Sequence, residues 1–349
     1  MSRLRRSRLD RPGITRRPRG SGFSYLGIDG RTVRDPETLE RIESLVIPPA
    51  WSDVWICPDA NGHLQVVGVD AAGRRQYLYH QRWRERRDAE KFRRIERFVE
   101  GLPELRAGVA RDLAKRGLAR ERVLACTIRL LDSATFRIGN DDYARQNGSF
   151  GLTTLRRDHV SVGRERAVFR YRGKGGVHRS HEVRDPDAVR VIRALIRRDG
   201  GGQRLFVFRD GQRGFDVRAS DVNEYLRAGV GDDASAKDFR TWHATVLAAL
   251  DLAGRDVPDA STSRRRVDRT IGAMVKQVAE VMGNTPAVCR RAYIDPRVID
   301  RYREGWTIAD EVSALPSPAL GDWSLRTRRD VELAVVSLLR GHGSARRAA

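Results

Sequence analysis

The feature that most constrains how this chain can fold is a change in the spacing of its apolar residues partway along. Between residues 51 and 80 they fall into short runs, Trp51 to Pro58, His63 to Val69 and Arg75 to His80. The turn signals Asp59-Ala60-Asn61-Gly62 and Ala71-Ala72-Gly73 separate those runs, and such a pattern predicts antiparallel strands. From residue 120 onward the spacing becomes helical, with Val123, Leu124, Ile128 and Leu131 on one face of a helix over Arg120–Ala134. The expected fold class is therefore α+β: a small antiparallel sheet domain over 21–88, and a larger, mostly helical domain over 89–349 that carries one β-hairpin. A length of 349 residues fits two domains.

Within that frame, Asp35-Pro36 reads as the cap and first residue of a helix bearing Leu39, Ile42 and Val46, stopped by Pro48-Pro49. Asp88 to Glu100 reads as a charged connecting helix ended by Gly101 and Pro103. A strand is expected at Leu152–Leu155, and the hairpin at Val168–Arg172 and Val177–Val183, joined by Gly173-Lys174-Gly175-Gly176. Helices follow at Pro186–Arg197, Asp221–Ala228, Asp238–Leu252, Val267–Met282, from Pro286 onward, and at Thr327–Arg340 with Thr327 as N-cap.

The charge narrows the partner. Lys and Arg number 67 against 46 Asp and Glu, a net +21. The first twenty residues hold eight arginines against Asp10, so +7 of that sits in a segment read as a disordered basic tail, leaving +14 on the rest. A surplus of this size favours a polyanion, because arginines that neutralise phosphates release counterions. The longest uncharged apolar runs are far shorter than the roughly 18 residues of a membrane span, so no membrane association is expected. Three scattered cysteines, Cys57, Cys126 and Cys289, make neither a disulfide framework nor a Cys-based metal site. A reducing cytoplasm is the expected compartment, with the protein associated with the nucleoid. Only five of the 67 basic residues are lysine: Lys91, Lys115, Lys174, Lys237 and Lys276. Arginine does not release a proton near neutral pH, whereas lysine can, so each lysine here asks for a reason.

Four segments carry possible chemistry. In Val281-Met282-Gly283-Asn284-Thr285-Pro286, Gly283 ends one helix and Thr285-Pro286 starts the next, holding Asn284 in a tight turn. Tyr293 follows seven residues after Pro286, which puts it two turns down that helix with Arg290 on the same face, and Arg290 and Arg291 are expected to stabilise a phenolate. Alone, a tyrosine on a helix is far more often a half-buried side chain packing its ring, and the segment by itself establishes nothing. The second segment is Phe136-Arg137-Ile138-Gly139-Asn140 at a helix end, and the third is Lys174 at the tip of the glycine-rich hairpin, whose spacing is not that of a nucleotide-binding P-loop. The fourth is Lys237-Asp238-Phe239-Arg240-Thr241, where Arg240 falls in the first turn of a helix, a position that favours a phosphate.

In order, Arg137, Lys174, Lys237-x-x-Arg240, Asn284 and Tyr293 resemble the type IB DNA topoisomerases, specifically the small poxvirus and bacterial branch. The resemblance runs from about Gly22 to about residue 310 and includes Ile47-Pro48-Pro49-Ala50-Trp51, Gly73-Arg74-Arg75-Gln76-Tyr77-Leu78-Tyr79-His80 and Lys276-Gln277-Val278-Ala279-Glu280. It implies that Tyr293 attacks a backbone phosphate to give a 3′-phosphotyrosyl link and a free 5′-hydroxyl. Arg137 and Arg240 would clamp the nonbridging oxygens, and Lys174 would protonate the leaving 5′-oxygen, a task arginine cannot perform. No ATP is required, and a divalent cation is at most stimulatory. Asn284 stands where poxvirus and nuclear enzymes carry His; its amide still donates a hydrogen bond but does not titrate. Arg74, Arg75, Gln76, Tyr77 and Tyr79 match the strand that lies in the major groove, with Arg75, Tyr77 and Tyr79 on one face and Arg74 and Gln76 on the other. Lys237 joins this DNA-contacting set. The implied architecture is a C-shaped clamp around duplex DNA, acting as a monomer.

Two alternatives stay open. A tyrosine recombinase shares the Arg/Lys/Arg/Tyr chemistry, but usually has His-x-x-Arg where this chain has Lys237-x-x-Arg240, and a helical rather than stranded N-terminal domain. A non-enzymatic basic DNA-binding protein accounts for the charge but leaves Lys174 and the ordered motifs unexplained.

Overall fold

The first twenty residues, expected to be a disordered tail, begin a sheet. In the computed structural model, which describes residues 3–200, 202–313, 325–342 and 344–345, strand β1 (Ile14–Arg19) pairs with β2 (Gly22–Leu26) and with β3 (Ser52–Ile56). Ile14 is opposite Ile56 and is buried, while Arg16 donates hydrogen bonds to the carbonyls of Pro48 (3.1 Å) and Trp51 (2.6 Å). Upstream, the Ser7 hydroxyl donates to Leu64 O at 2.8 Å and the Arg5 N–H to Asn61 O at 2.9 Å. Arginine density signalled disorder in the sequence. Folded, the strand exposes most of its arginines and buries one isoleucine, which one half-solvated face of an antiparallel sheet allows.

The chain divides into two units, residues 1–92 and 93–349. The first is a five-stranded antiparallel sheet of order β2-β1-β3-β4-β5, with β4 at Leu64–Val69 and β5 at Arg75–Tyr79, and one helix, α1 (Pro36–Ser44). The Asp35 carboxylate caps α1 by accepting from Thr38 N–H at 2.9 Å. Ile14, Ile42, Val54, Ile56 and Val66 form its core.

The boundary falls inside α2 (Gln81–Leu113), a 33-residue helix that does not stop at Gly101 and Pro103. Phe98, Leu102, Leu105, Val109 and Leu113 recur three or four residues apart and are all buried, so packing carries the helix through the proline. Gly101 marks a close approach instead: a Cβ there would sit 2.9 Å from Val230 Cγ1.

The second unit is mostly helical. Its elements are α3 (Arg120–Ser133), α4 (Asp141–Asn147), β6 (Val160–Val162), β7 (Ala167–Arg172), β8 (His178–Val183), α5 (Pro186–Arg197), β9 (Val207–Asp210), β10 (Arg213–Asp216), α6 (Ala219–Val230), α7 (Ala236–Ala253), α8 (Arg264–Met282), α9 (Pro286–Ala292), α10 (Pro296–Arg303), β11 (Trp306–Thr307), α11 (Ala309–Val312), α12 (Leu325–Leu339) and β12 (Ser344–Ala345). Leu152–Thr154 is a 3₁₀ turn rather than a strand, and β6 supplies the third strand beside the β7–β8 hairpin; a second hairpin, β9–β10, went unread. The last helix starts ahead of Thr327, whose expected capping side chain lies outside the described residues. Helices α3 and α7 are buried on nearly every face and form the centre of this α+β unit.

Candidate active site

Arg137 leaves the end of α3 on a segment pinned from both sides. Phe136 is fully buried, with its ring 4.2 Å from that of His181 and 5.1 Å from that of Phe169. The Arg137 carbonyl accepts from Leu152 N–H (2.7 Å) and the Ile138 carbonyl from Thr153 N–H (2.8 Å). Gly139 and Gly151 allow that pairing: Gly139 has φ +96°, and a Cβ on Gly151 would fall 2.6 Å from Gly139 Cα. The guanidinium then reaches the turn between α8 and α9. It donates to Gly283 O at 3.0 Å and to Asn284 Oδ1.

That turn is built as its residues suggest. Gly283 closes α8 at φ +61° and the Thr285 hydroxyl caps α9. Because the Asn284 Oδ1 accepts from Arg137, its Nδ2 is the amide donor left over, and it is buried without a hydrogen-bond partner among the described residues.

Arg240 lies deeper than expected. Helix α7 begins at Ala236, where the Asp238 carboxylate accepts from Ser235 N–H at 2.8 Å, so Arg240 stands in the second turn, past the free N–H groups. The helix N-terminus therefore does not supply its phosphate affinity; the side chain does. Arg240 is 4 % exposed, donates to Met282 O (2.8 Å) and to Thr135 O, and leaves its Nε without a partner among the described residues.

Tyr293 is not on the face of α9. The helix ends at Ala292, and Tyr293 turns away at φ −129°, ψ −38°. Thr245 Oγ1 accepts from Asp295 N–H at 3.1 Å, and its one hydroxyl proton is shared between Thr241 O at 2.9 Å and the Tyr293 carbonyl at 3.3 Å. The cations at its ring are therefore Arg240, 5.3 Å from the ring centroid, and Lys237, 5.9 Å away, rather than Arg290 and Arg291, which are exposed on α9. Lys174 is exposed at the tip of the β7–β8 hairpin, in a 3₁₀ turn that Gly175 and Gly176 allow with φ of +75° and +77°. It lines one cleft with Arg137, Thr135, Tyr171 and Arg179.

The electrostatics of the site are dominated by buried cations. Burial and the neighbouring Arg137 lower the Arg240 guanidinium below its ordinary value, against an opposing pull from Tyr293; burial also lowers Arg137, against Tyr293 and with Arg179. Burial pushes the Tyr171 phenol up to about 12 and His181 down to about 4, so the wall beneath the arginines is neutral at pH 7. Elsewhere in this unit buried arginines meet carboxylates, as Arg106 meets Asp132 (2.9 Å) and Glu332 (2.7 Å). Arg137 and Arg240 donate to carbonyl and amide oxygens, and Arg240 also engages the Tyr293 side chain; neither meets a carboxylate among the described residues.

Arg179 is a site residue that the sequence reading missed. It sits on β8 opposite Tyr171, half-buried, and its guanidinium lies against Gly283. The available signal was parity: Arg179, His181 and Val183 alternate onto the inward face of the strand.

The proposed DNA-contacting strand lies in the other unit. Arg75, Tyr77 and Tyr79 are exposed on one face of β5, with the two tyrosine rings 6.3 Å apart and nearly parallel. Arg74 precedes the strand and pairs with Asp70 at 2.8 Å, and Asp70 also accepts from Gln76 Nε2 at 2.9 Å. These two therefore brace the β4–β5 turn. No cluster of three or more metal-ligating side chains occurs, and no helix is long and apolar enough to cross a membrane, among the described residues.

Comparison with known proteins gives this arrangement a family. The catalytic core of eukaryotic DNA topoisomerase I matches residues 80–311, and the N-terminal domain of bacterial DNA topoisomerase IB matches residues 22–70. DNA topoisomerase 1B of Acanthamoeba polyphaga mimivirus is 29% identical over 296 residues, 83% of this chain and 88% of the viral protein. DNA topoisomerase 1B of Vaccinia virus is 24% identical over 278 residues, 77% of this chain and 83% of the relative. DNA topoisomerase 1 of Schizosaccharomyces pombe is 26% identical over 204 residues, 56% of this chain and 24% of the yeast protein. With two thirds of its length matched by the catalytic core, this chain belongs to the type IB DNA topoisomerase family of isomerases.

Proposed function

We propose that this enzyme relaxes supercoiled duplex DNA by cutting one strand through a 3′-phosphotyrosyl intermediate and resealing it, without ATP and without a required metal ion. The observation that carries the reading is the pair of guanidiniums, Arg137 and Arg240, gathered about Tyr293 with no carboxylate to neutralise them among the described residues. Such a site is completed by an anion, and a bridging phosphate presents the two nonbridging oxygens that two arginines can share.

In this mechanism the Tyr293 phenol loses its proton to water and its oxygen attacks phosphorus. Negative charge grows on the nonbridging oxygens, where Arg137, Arg240 and the free Asn284 amide N–H stabilise it. The bond from phosphorus to the 5′-oxygen breaks, and that oxygen takes a proton from the Lys174 ammonium. Religation is the reverse: the 5′-hydroxyl attacks, its proton returns to Lys174, and the tyrosyl ester bond breaks. One tyrosine and one strand complete the cycle, so a monomer suffices. Arg75, Tyr77 and Tyr79 hold the duplex from the N-terminal unit. The cytoplasm, with the enzyme on the nucleoid, is the compartment we propose.

The decisive experiment incubates supercoiled plasmid with the protein in EDTA without ATP, followed by gel electrophoresis after SDS. Relaxed topoisomers are expected, and Tyr293→Phe should abolish them while duplex binding persists. Unchanged supercoils, from folded protein that binds DNA, would leave a recombinase or a plain DNA-binding protein. A Tyr293→Phe enzyme that still relaxes plasmid would remove Tyr293 as the nucleophile.

A further inference from the structure

Arg179 has a neighbourhood that the reaction outlined above does not explain. Its side chain runs between two glycines, each next to a residue of the site. Its Cγ is 3.0 Å from the point where a Cβ on Gly173 would fall, and Gly173 precedes Lys174. Its guanidinium covers the position of a Cβ on Gly283, with Nη2 at 1.5 Å and Cζ at 1.9 Å from it, and Gly283 precedes Asn284. A side chain at Gly283 would have to displace this guanidinium outright.

Nothing else accounts for Arg179. Its side chain makes no hydrogen bond and no ion pair among the described residues, although it is half-buried on the inward face of β8. It lies close enough to Arg137 and Arg240 to repel both. A like-charged group is costly in such company unless it serves a purpose there. Other buried guanidiniums that lack a carboxylate, such as Arg122, are held by carbonyls: Arg122 donates to Leu113 O at 3.1 Å and Gly117 O at 2.7 Å. Among the described residues the Arg179 side chain has neither kind of partner, and its guanidinium packs against the backbone at Gly283.

We propose that Arg179 is a positioning residue that docks the hairpin bearing Lys174 onto the turn bearing Asn284, and so fixes where the Lys174 ammonium meets the leaving oxygen. The hairpin tip is exposed and turns on consecutive glycines at positive φ; its turn bonds, Gly173 N–H to Val177 O at 2.8 Å and Gly176 N–H to Gly173 O at 3.0 Å, shape the tip itself but do not set its register against the turn bearing Asn284. A misplacement of about 1 Å in a proton donor costs on the order of a hundredfold in rate. The inference rests on the reading of Lys174 as the proton donor, and its test separates the two.

The test measures single-turnover cleavage by the full chain on two duplexes, one with the normal 5′-oxygen and one with sulfur at the bridging 5′ position. A thiolate leaves without needing a proton, so it bypasses the general acid. Arg179→Ala should cleave the oxygen substrate roughly 10- to 100-fold more slowly and recover most of that loss on the sulfur substrate, with duplex affinity unchanged. Arg179→Lys keeps the charge but not the guanidinium that covers Gly283, and should stay impaired on oxygen. A deficit in Arg179→Ala that persists on sulfur, a full-rate Arg179→Ala enzyme, or complete rescue by Arg179→Lys would each overturn the docking role. Lys174→Ala is the control: if sulfur fails to rescue it, Lys174 is not the proton donor and the inference falls with that reading. If sulfur rescues Lys174→Ala but not Arg179→Ala, the inference alone falls.

Discussion

Replacing Asn284 by Asp changes one amide nitrogen to an oxygen, and it should damage the enzyme more than removing the side chain altogether. The Asn284 Oδ1 accepts from Arg137 and its Nδ2 is buried without a partner among the described residues, so the amide is oriented with a donor to spare. Asn284→Ala loses that donor, and loss of one transition-state hydrogen-bond donor costs about 2.7–4 kcal/mol, or roughly 10²–10³ in rate. Asn284→Asp loses the same donor but keeps and strengthens the contact to Arg137, since a carboxylate accepts from a guanidinium better than an amide does. In place of the donor stands an anion facing the phosphate. At about 4 Å and an effective dielectric of about 20, that repulsion approaches 4 kcal/mol, offset in part by the stronger Arg137 contact. The Asp variant should therefore cleave at least about tenfold more slowly than the Ala variant while unfolding at the same or a higher temperature. The assay is single-turnover formation of the covalent complex, read on SDS gels. Asn284→His, which restores a donor at that position, should preserve or raise activity. An Asp variant faster than the Ala variant would refute the reasoning, because the amide nitrogen would then not face the phosphate.

Two further outcomes test the scaffold. Burial alone would raise the Asp132 carboxyl, but Arg328 and Arg106 outweigh it and hold the folded pKa far below the ordinary carboxylate value. The stability it contributes is therefore present above the unfolded pKa near 3.9 and is lost as pH falls below it; Asp132→Asn should cost about 3–5 kcal/mol at pH 7 and flatten the acid limb of a thermal unfolding series. On β5, Tyr77 and Tyr79 are 43% and 37% exposed, so alanine at either should leave the melting temperature unchanged. Duplex affinity should fall by about 1 kcal/mol, or roughly fivefold, for each lost contact, measured in a Tyr293→Phe background; unchanged affinity would remove this face from the DNA interface.

The chain by itself determined the α+β class, the order of the site residues and the turns that hold them. Glycine at 283 with Thr285-Pro286, or the glycines around Lys174, specify local backbone geometry from their own covalent structure, and such information is written in consecutive residues. The tertiary structure decided what depends on partners distant in sequence. The arginine-rich start became β1 because Ile14 found Ile56, and α2 ran through Pro103 because Leu102, Leu105 and Val109 had a core to enter. Tyr293 left its helix for the neighbourhood of Arg240 rather than Arg290, held there through Thr245. Arg179 came to lie on Gly283, about a hundred residues further along the chain. Helical periodicity says which residues share a face; it does not say where a helix ends, nor which distant guanidinium will be waiting when it does.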